Sequence, residues 1–250
     1  MEEFKLGPLT FTPIKDDTEL SITKCDAYAV SVVIPLDVDG TPVSEIGESA
    51  FENCKRLREI TFPNDLDLQM SDSGLNIEDY AFSGCTSLTS ITIPYGVRKL
   101  GRGAFSGCSA LRHAELPEFI ISVGDYAFSH CEALKTITPL SEINEGVFSH
   151  CKSLSVFPVS NTVSVISEDA FYHCYGLTKI TIPESVRVIE PLAFRSCYSL
   201  KSVTFECPDG WVVSNIYTSK LAELDLSDPK KNAEMLSKMD FDDGCGGWRR

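Results

Sequence analysis

The chain has no apolar run approaching the roughly 18 residues of a membrane span, so membrane insertion is not expected. It has no glycine-rich phosphate loop, no Cys-x-x-Cys pair and no His-Glu-x-x-His. The spacings that announce nucleotide, redox or zinc-hydrolase chemistry are therefore missing. No cofactor and no enzymatic activity are expected. Positive charge is scarce: 22 Lys and Arg face 36 Asp and Glu, a net charge of -14 over 250 residues. Such a surface repels phosphate backbones and anionic lipid, which disfavours nucleic acid as a partner. The opening Met1-Glu2-Glu3-Phe4-Lys5 carries neither a basic nor an apolar signal region. That implies a cytoplasmic protein if Met1 is the native start, and a cell-surface or secreted one if a signal peptide has been removed.

Cysteine is plentiful, with ten residues, but its placement argues against a disulfide framework. Cys54, Cys85, Cys108, Cys131, Cys151, Cys174 and Cys197 each lie three residues after a Phe and three before a Leu. A fixed repeat position is better read as a small buried apolar side chain. Cys25, Cys207 and Cys245 lie outside this register and are the ones expected to pair or react.

The register belongs to a repeat. Leu88-Thr-Ser-Ile-Thr-Ile-Pro94 runs through Val97 and Leu100 to Ala104-Phe105-Ser-Gly-Cys108, and returns as Leu177 to Pro183, Val186, Ile189 and Ala193-Phe194-Arg-Ser-Cys197. The Phe frame is Phe51, Phe82, Phe105, Phe128, Phe148, Phe171 and Phe194, with Ala before each except at Val147. Cys-to-Cys spacings of 31, 23, 23, 20, 23 and 23 give a period of 23, one insertion of eight and one deletion of three. Each unit opens with a strand whose Ile residues alternate inward, stopped by Pro. A second apolar pair three apart follows, then Ala-Phe and a turn. One unit cannot bury so many apolar residues alone; stacked units can, as parallel strands.

The pattern Ile-x-Ile-Pro, Val-x-x-Ile, Ala-Phe-x-x-Cys-x-x-Leu resembles the BspA-type leucine-rich repeat family of bacterial surface and secreted proteins, over about residues 31–205. The resemblance implies an adhesion or protein-binding module. The expected fold is a mainly β repeat solenoid: a right-handed leucine-rich-repeat superhelix of about eight coils. Its parallel strands are joined by short irregular or 3-10 connections. Residues 1–30 form an N-terminal β-hairpin cap from Leu9–Ile14 and Glu19–Thr23. Residues 31–205 form the solenoid, and residues 206–250 a C-terminal strand-plus-helix cap and tail, all one structural domain. In the cap, Asp228-Pro229 reads as a helix start, with Ala233, Leu236 and Met239 on one face. The tail 242–250 is expected to be mobile, with the alternative that Trp248 tucks back onto the cap.

Two sites depart from the repeat. Residues 64–76 hold the insertion, with Asp65, Asp67, Asp72 and Gly74; the spacing lacks the closing Glu of a calcium loop and reads as a solvated rim loop. The strand of the short unit between Cys131 and Cys151 ends at Pro139, and the next strand carries Pro158 in its middle; proline cannot donate to a strand ladder. Strand pairing should be weakest at about 137–159.

Two outward columns of the strands are the candidate partner surface. One comprises Thr61, Thr92, Glu115, Thr138, Thr181 and Thr204, with Pro158 among them. The other comprises Arg58, Thr89, Arg112, Lys135, Thr178 and Lys201, with Ser155. Threonine suits a strand by β-branching alone, yet solenoids bind partners on such faces. A protein partner and a monomeric state are expected. Binding of a glycan or other small ligand by the same face is the alternative, weakened by the lack of aromatic residues in both columns. A third column precedes the ladder cysteines: Asn53, Gly84, Gly107, His130, His150, His173 and Ser196. Three imidazoles one rung apart could share a metal ion. Asn, Gly and His are also the residues that enter left-handed backbone conformations, and that reading accounts for every member but Ser196, so no metal is expected.

Overall fold

A computed structural model describes residues 2–62, 74–118, 120–215, 221–223, 225–238 and 245–249. The chain divides into two compact units, residues 1–138 and 139–250. Most of the insertion, with Asp65, Asp67 and Asp72, lies outside the described residues, as does Met239.

The first unit contains β1 (Phe4–Leu6), β2 (Leu9–Ile14), β3 (Glu19–Cys25), β4 (Ser31–Val33), β5 (Asp37–Val38), β6 (Thr41–Ile46) and β7 (Glu59–Thr61). After the insertion come β8 (Leu75–Ile77), β9 (Ser90–Thr92), β10 (Val97–Leu100), β11 (His113–Glu115), β12 (Ser122–Val123) and β13 (Thr136–Ile137). Each coil contributes two strands. The first is the expected one, exposed on either side of a buried residue such as Ile60, Ile91 or Ala114. These strands pair in parallel as β4–β7 and as β9–β11–β13. The second strand, unforeseen in the sequence, is built on the apolar pair. Val97 and Leu100 lie three apart and would point to opposite faces of a regular strand. A register shift between Val97 and Lys99 brings both inward. The order β3–β6–β8–β10–β12 makes this second sheet parallel.

The hairpin cap forms as expected, with Lys15, Asp16 and Asp17 at positive φ in its turn, and β1 adds a third strand to it. Among the described residues it pairs with the second sheet: Leu20 faces Val43 and Ile22 faces Ile46.

The second unit contains β14 (Val165–Ile166), β15 (Lys179–Ile182), β16 (Val188–Ile189), β17 (Ser202–Phe205), β18 (Val212–Asn215), β19 (Leu221–Glu223), α1 (Pro229–Ser237) and β20 (Cys245–Arg249). Around the deletion the ladders thin to single bridges, Ile143 to Ile166 and Val156 to Lys179. Beyond them β15 pairs with β17 over four residues and β14 with β16 over two. Asp228 caps α1, its carboxylate accepting from the amides of Lys230 (2.9 Å) and Lys231 (3.3 Å), with Pro229 in the first turn. Asn232, Ala233 and Leu236 are buried beneath the helix. The tail is not a loose end. Its β20 pairs antiparallel with β16 and β18, and Trp248 is buried, its ring 5.9 Å from that of Phe205. The physical reason is the exposed edge of β16 and the apolar Phe205, both of which β20 covers.

One clasp recurs in every coil. The residue two after each ladder Phe is left-handed: Asn53, Gly84, Gly107, His130, His150, His173 and also Ser196, at φ between 56° and 73°. The residue two before each Phe is left-handed too: Ser49, Tyr80, Gly103, Tyr126, Gly146, Asp169 and Leu192. Between these bends the Phe ring turns inward. Phe51, Phe82, Phe105 and Phe128 stack at 4.7, 5.2 and 5.5 Å; in the second unit Phe148, Phe171 and Phe194 stack at 5.5 and 5.1 Å.

The ladder cysteine closes the clasp. The thiols of Cys85, Cys108 and Cys131 donate to the carbonyls of Phe51, Phe82 and Phe105 on the preceding coil, each at 3.2 Å. Cys174 and Cys197 do so to Phe148 and Phe171 at 3.1 Å. Burial pushes the Cys197 thiol up to about 12 and raises those of Cys131 and Cys174 as well. Cys25 belongs with this set rather than with the reactive ones: it is buried, and its hydrogen bond with the Cys54 thiol, together with burial, raises its pKa. Cys207 is half-buried; the side chain of Cys245 lies outside the described residues.

Candidate functional site

The strand face of the first unit is built by β4, β7, β9, β11 and β13. Parallel register sets side chains in rows: Ser90 beside His113, Thr92 beside Glu115, His113 beside Thr136. Arg58, Thr61, Thr89, Thr92, Arg112, Glu115 and Lys135 are exposed. Thr92 Oγ1 donates to Glu115 Oε2 at 3.3 Å. Thr138 is more enclosed, its hydroxyl accepting from the Leu116 amide at 3.0 Å. The amides of Arg112 and Lys135 complete the ladder, donating to Thr89 O (2.8 Å) and Arg112 O (2.9 Å). Thr61, Thr92 and Glu115 thus lie within strands, while Arg58, Thr89, Arg112 and Lys135 each sit directly before one, on the turn side of the ladder. Among the described residues, the ion pairs of this unit are Lys15–Glu19, Lys99–Glu78 and Arg102–Asp125. None of them involves Arg58, Arg112 or Lys135.

In the second unit Thr181 on β15 and Thr204 on β17 are exposed and in register with each other, and Lys201 is exposed directly before β17. The Thr178 hydroxyl donates to Ser155 O at 3.1 Å.

A further outward column was missed in the sequence: Glu59, Ser90, His113, Thr136, Val156, Lys179 and Ser202, each directly before a buried strand residue. Simple alternation around Ile60, Ile91 or Ile180 would have found it. His113 Nδ1 and Thr136 Oγ1 in this column lie 2.7 Å apart.

The histidine column sits on the clasp. The His150 and His173 rings stack at 4.6 Å, and His173 Nδ1 is hydrogen-bonded to the Tyr175 hydroxyl. Burial lowers the His173 pKa, helped by Arg195 and Lys152. Tyr172 packs edge-on to His173, and Tyr175 stacks on Tyr198 at 5.6 Å. Aromatic groups absent from the strand columns therefore gather on the turn rim. No group of three or more potential metal ligands occurs among the described residues. Two clefts among the described residues of the second unit are shallow, about 480 and 440 Å³. The larger is lined by Ser141, Glu142, Asn144, Thr162, Ser164 and Ser167 with Ile143 and Val165; the smaller includes Val156, Pro158, Lys179, Thr181 and Glu206. No described helix is long and apolar enough to cross a membrane.

No curated protein matches the chain. Among solved structures it is similar to the leucine-rich repeat protein of T. pallidum, at 26% identity and a TM-score of 0.65 over 79% of this chain and 90% of that one. It is also similar in fold to a leucine-rich repeat protein of Bacteroides ovatus, at 23% identity and a TM-score of 0.55 over 77% of this chain and 56% of that one. The family description "BspA type Leucine rich repeat region" matches residues 66–141 and 138–228, in six copies. These ranges hold most of the two-strand coils, Phe stacks and thiol clasps, and the chain belongs to the BspA-type leucine-rich repeat family.

Proposed function

We propose that the protein is a non-enzymatic protein-binding or adhesion module that engages its partner with the strand face of the first unit. The carrying observation is the exposed set Arg58, Arg112 and Lys135, outside the ion pairs of the described residues, on a chain of net charge -14. Exposed cations fixed to a rigid ladder complement an acidic or polar protein surface and raise its rate of association. The family gives a repeat scaffold suited to this use. The same strands carry no aromatic platform, so the glycan reading has less behind it. The test is capture from the source organism's lysate and culture medium with the wild-type chain and with Arg112→Glu/Lys135→Glu. A partner held by the wild type and lost by the double variant, both folded, supports the face. Equal capture by the two overturns it.

A further inference from the structure

A strand sheet ends in two edges, and this chain treats its edges unequally. At the N-terminal end of the first unit, the second sheet is covered by the hairpin through β3. At the C-terminal end of the second unit, β20 covers β16, and α1 lies on β17, where the Asn232 amide donates to Val203 O at 3.1 Å. The first strand of the strand face, β4, has no such cover. Among the described residues it pairs with β7 alone.

The direction of its backbone groups follows from that pairing. Ile34 donates to Thr61 O at 2.9 Å, and Val30 O accepts from Arg58 at 2.8 Å. The even-numbered residues thus face β7, and alternation turns the N–H and C=O groups of Ser31 and Val33 to the open edge. The side chains beside this edge are apolar and exposed: Tyr28 75%, Val30 44% and Val33 66%. The coil around it is acidic throughout. Between Cys25 and Cys54 stand Asp26, Asp37, Asp39, Glu45, Glu48 and Glu52, with no Lys or Arg. A second copy of this edge would bring the same carboxylates against it, so self-pairing is opposed.

We propose that β4 accepts an extended, basic and apolar peptide segment of a partner protein as an added strand. The backbone of Ser31 and Val33 supplies the hydrogen bonds, Tyr28, Val30 and Val33 the apolar contact, and the flanking carboxylates the selectivity for cationic residues. Arg58 borders this edge, its amide donating to Val30 O, whereas Arg112 and Lys135 lie on later coils and take no part in it.

The experiment pans a displayed pool of random peptides, about a dozen residues long, against the full chain, and titrates the enriched peptide onto variants. Val33→Pro removes one outward donor and leaves the ladder to β7 intact, since edge strands tolerate proline. Enriched peptides should carry alternating apolar and basic residues and weaken by about tenfold or more on Val33→Pro. They should weaken in added salt and on Asp37→Lys/Asp39→Lys, and be unaffected by Arg112→Glu/Lys135→Glu. In the wild type the peptide should slow amide exchange at Ser31 and Val33, a readout that stands even if Val33→Pro fails to fold. The proposal is overturned if no peptide is enriched, if binding leaves those two amides unprotected, or if sedimentation shows a dimer through β4.

Discussion

At the scale of single residues the thiol does more than fill space. Serine would be a poor substitute: its hydroxyl is shorter, and a donor that cannot reach is costly when buried. Alanine removes the donor and leaves a buried carbonyl such as Phe82 O with the Cys85 amide alone. Cys108→Ala should therefore destabilise by about 1–2 kcal/mol, read as a lower denaturant midpoint with unchanged slope. A neutral Cys108→Ala would mean the thiol acts only as volume. The sequence showed the column but not the bond, because a residue period reveals burial and not the direction of a donor. It showed the left-handed turn after the Phe through Asn, Gly and His. It hid the turn before it, where Tyr80, Tyr126 and Leu192 adopt a conformation their side chains disfavour.

At the scale of elements, the weak point follows from the prolines. Pro158 has no N–H to donate, and Pro139 follows the short strand β13. Shortening the coil by three residues removes the matching length on both sheets. The structure leaves one bridge per sheet there, at Ile143 and Val156, against four paired residues in β15–β17. Native-state amide exchange should be faster at 142–159 than at 179–182 and 90–92. Equal protection at 156–159 would show that one bridge with apolar packing suffices. First strands and caps were legible because alternation, proline stops and an Asp-Pro start each have a local cause. The second sheet was not, since a three-residue apolar spacing imitates a helical turn until a bulge explains it. Nor was β20, whose Gly-rich sequence has little strand propensity and is held by contacts distant in the chain.

At the scale of the whole molecule, the excess of acid shapes stability. Burial raises the Glu168 pKa, assisted by Asp169, Glu145 and Glu190; burial and Glu145 raise that of Asp169. A carboxyl whose folded pKa is raised contributes stability that is full below its unfolded pKa, about 4.3 for Glu, and lost as pH rises through the folded value. Glu168→Gln, neutral at every pH, should melt higher than the wild type at pH 7, and the gap should close toward pH 4 as the wild-type carboxyl protonates. A gap independent of pH would assign the gain to packing. Two of the three outward columns of the strand face were legible in the sequence, because they follow from a period of 23; the column of Glu59, Ser90 and His113 was not drawn, although alternation implies it. Which of their groups are already engaged, as with Thr138 and Thr178, depends on neighbouring coils that no single repeat specifies.

The clasp has a mechanical consequence. Within each unit, successive coils are tied by backbone bonds in each of the two sheets and by a thiol to a Phe carbonyl of the preceding coil. Tension on one end of such a unit loads a single coil at a time, and the bonds part in sequence rather than together, as thread leaves a spool. Each released coil of 23 residues lengthens the chain by about 80 Å at full extension. A partner gripping the strand face across several coils would bind those turns together, so force and binding would oppose each other on the same bonds.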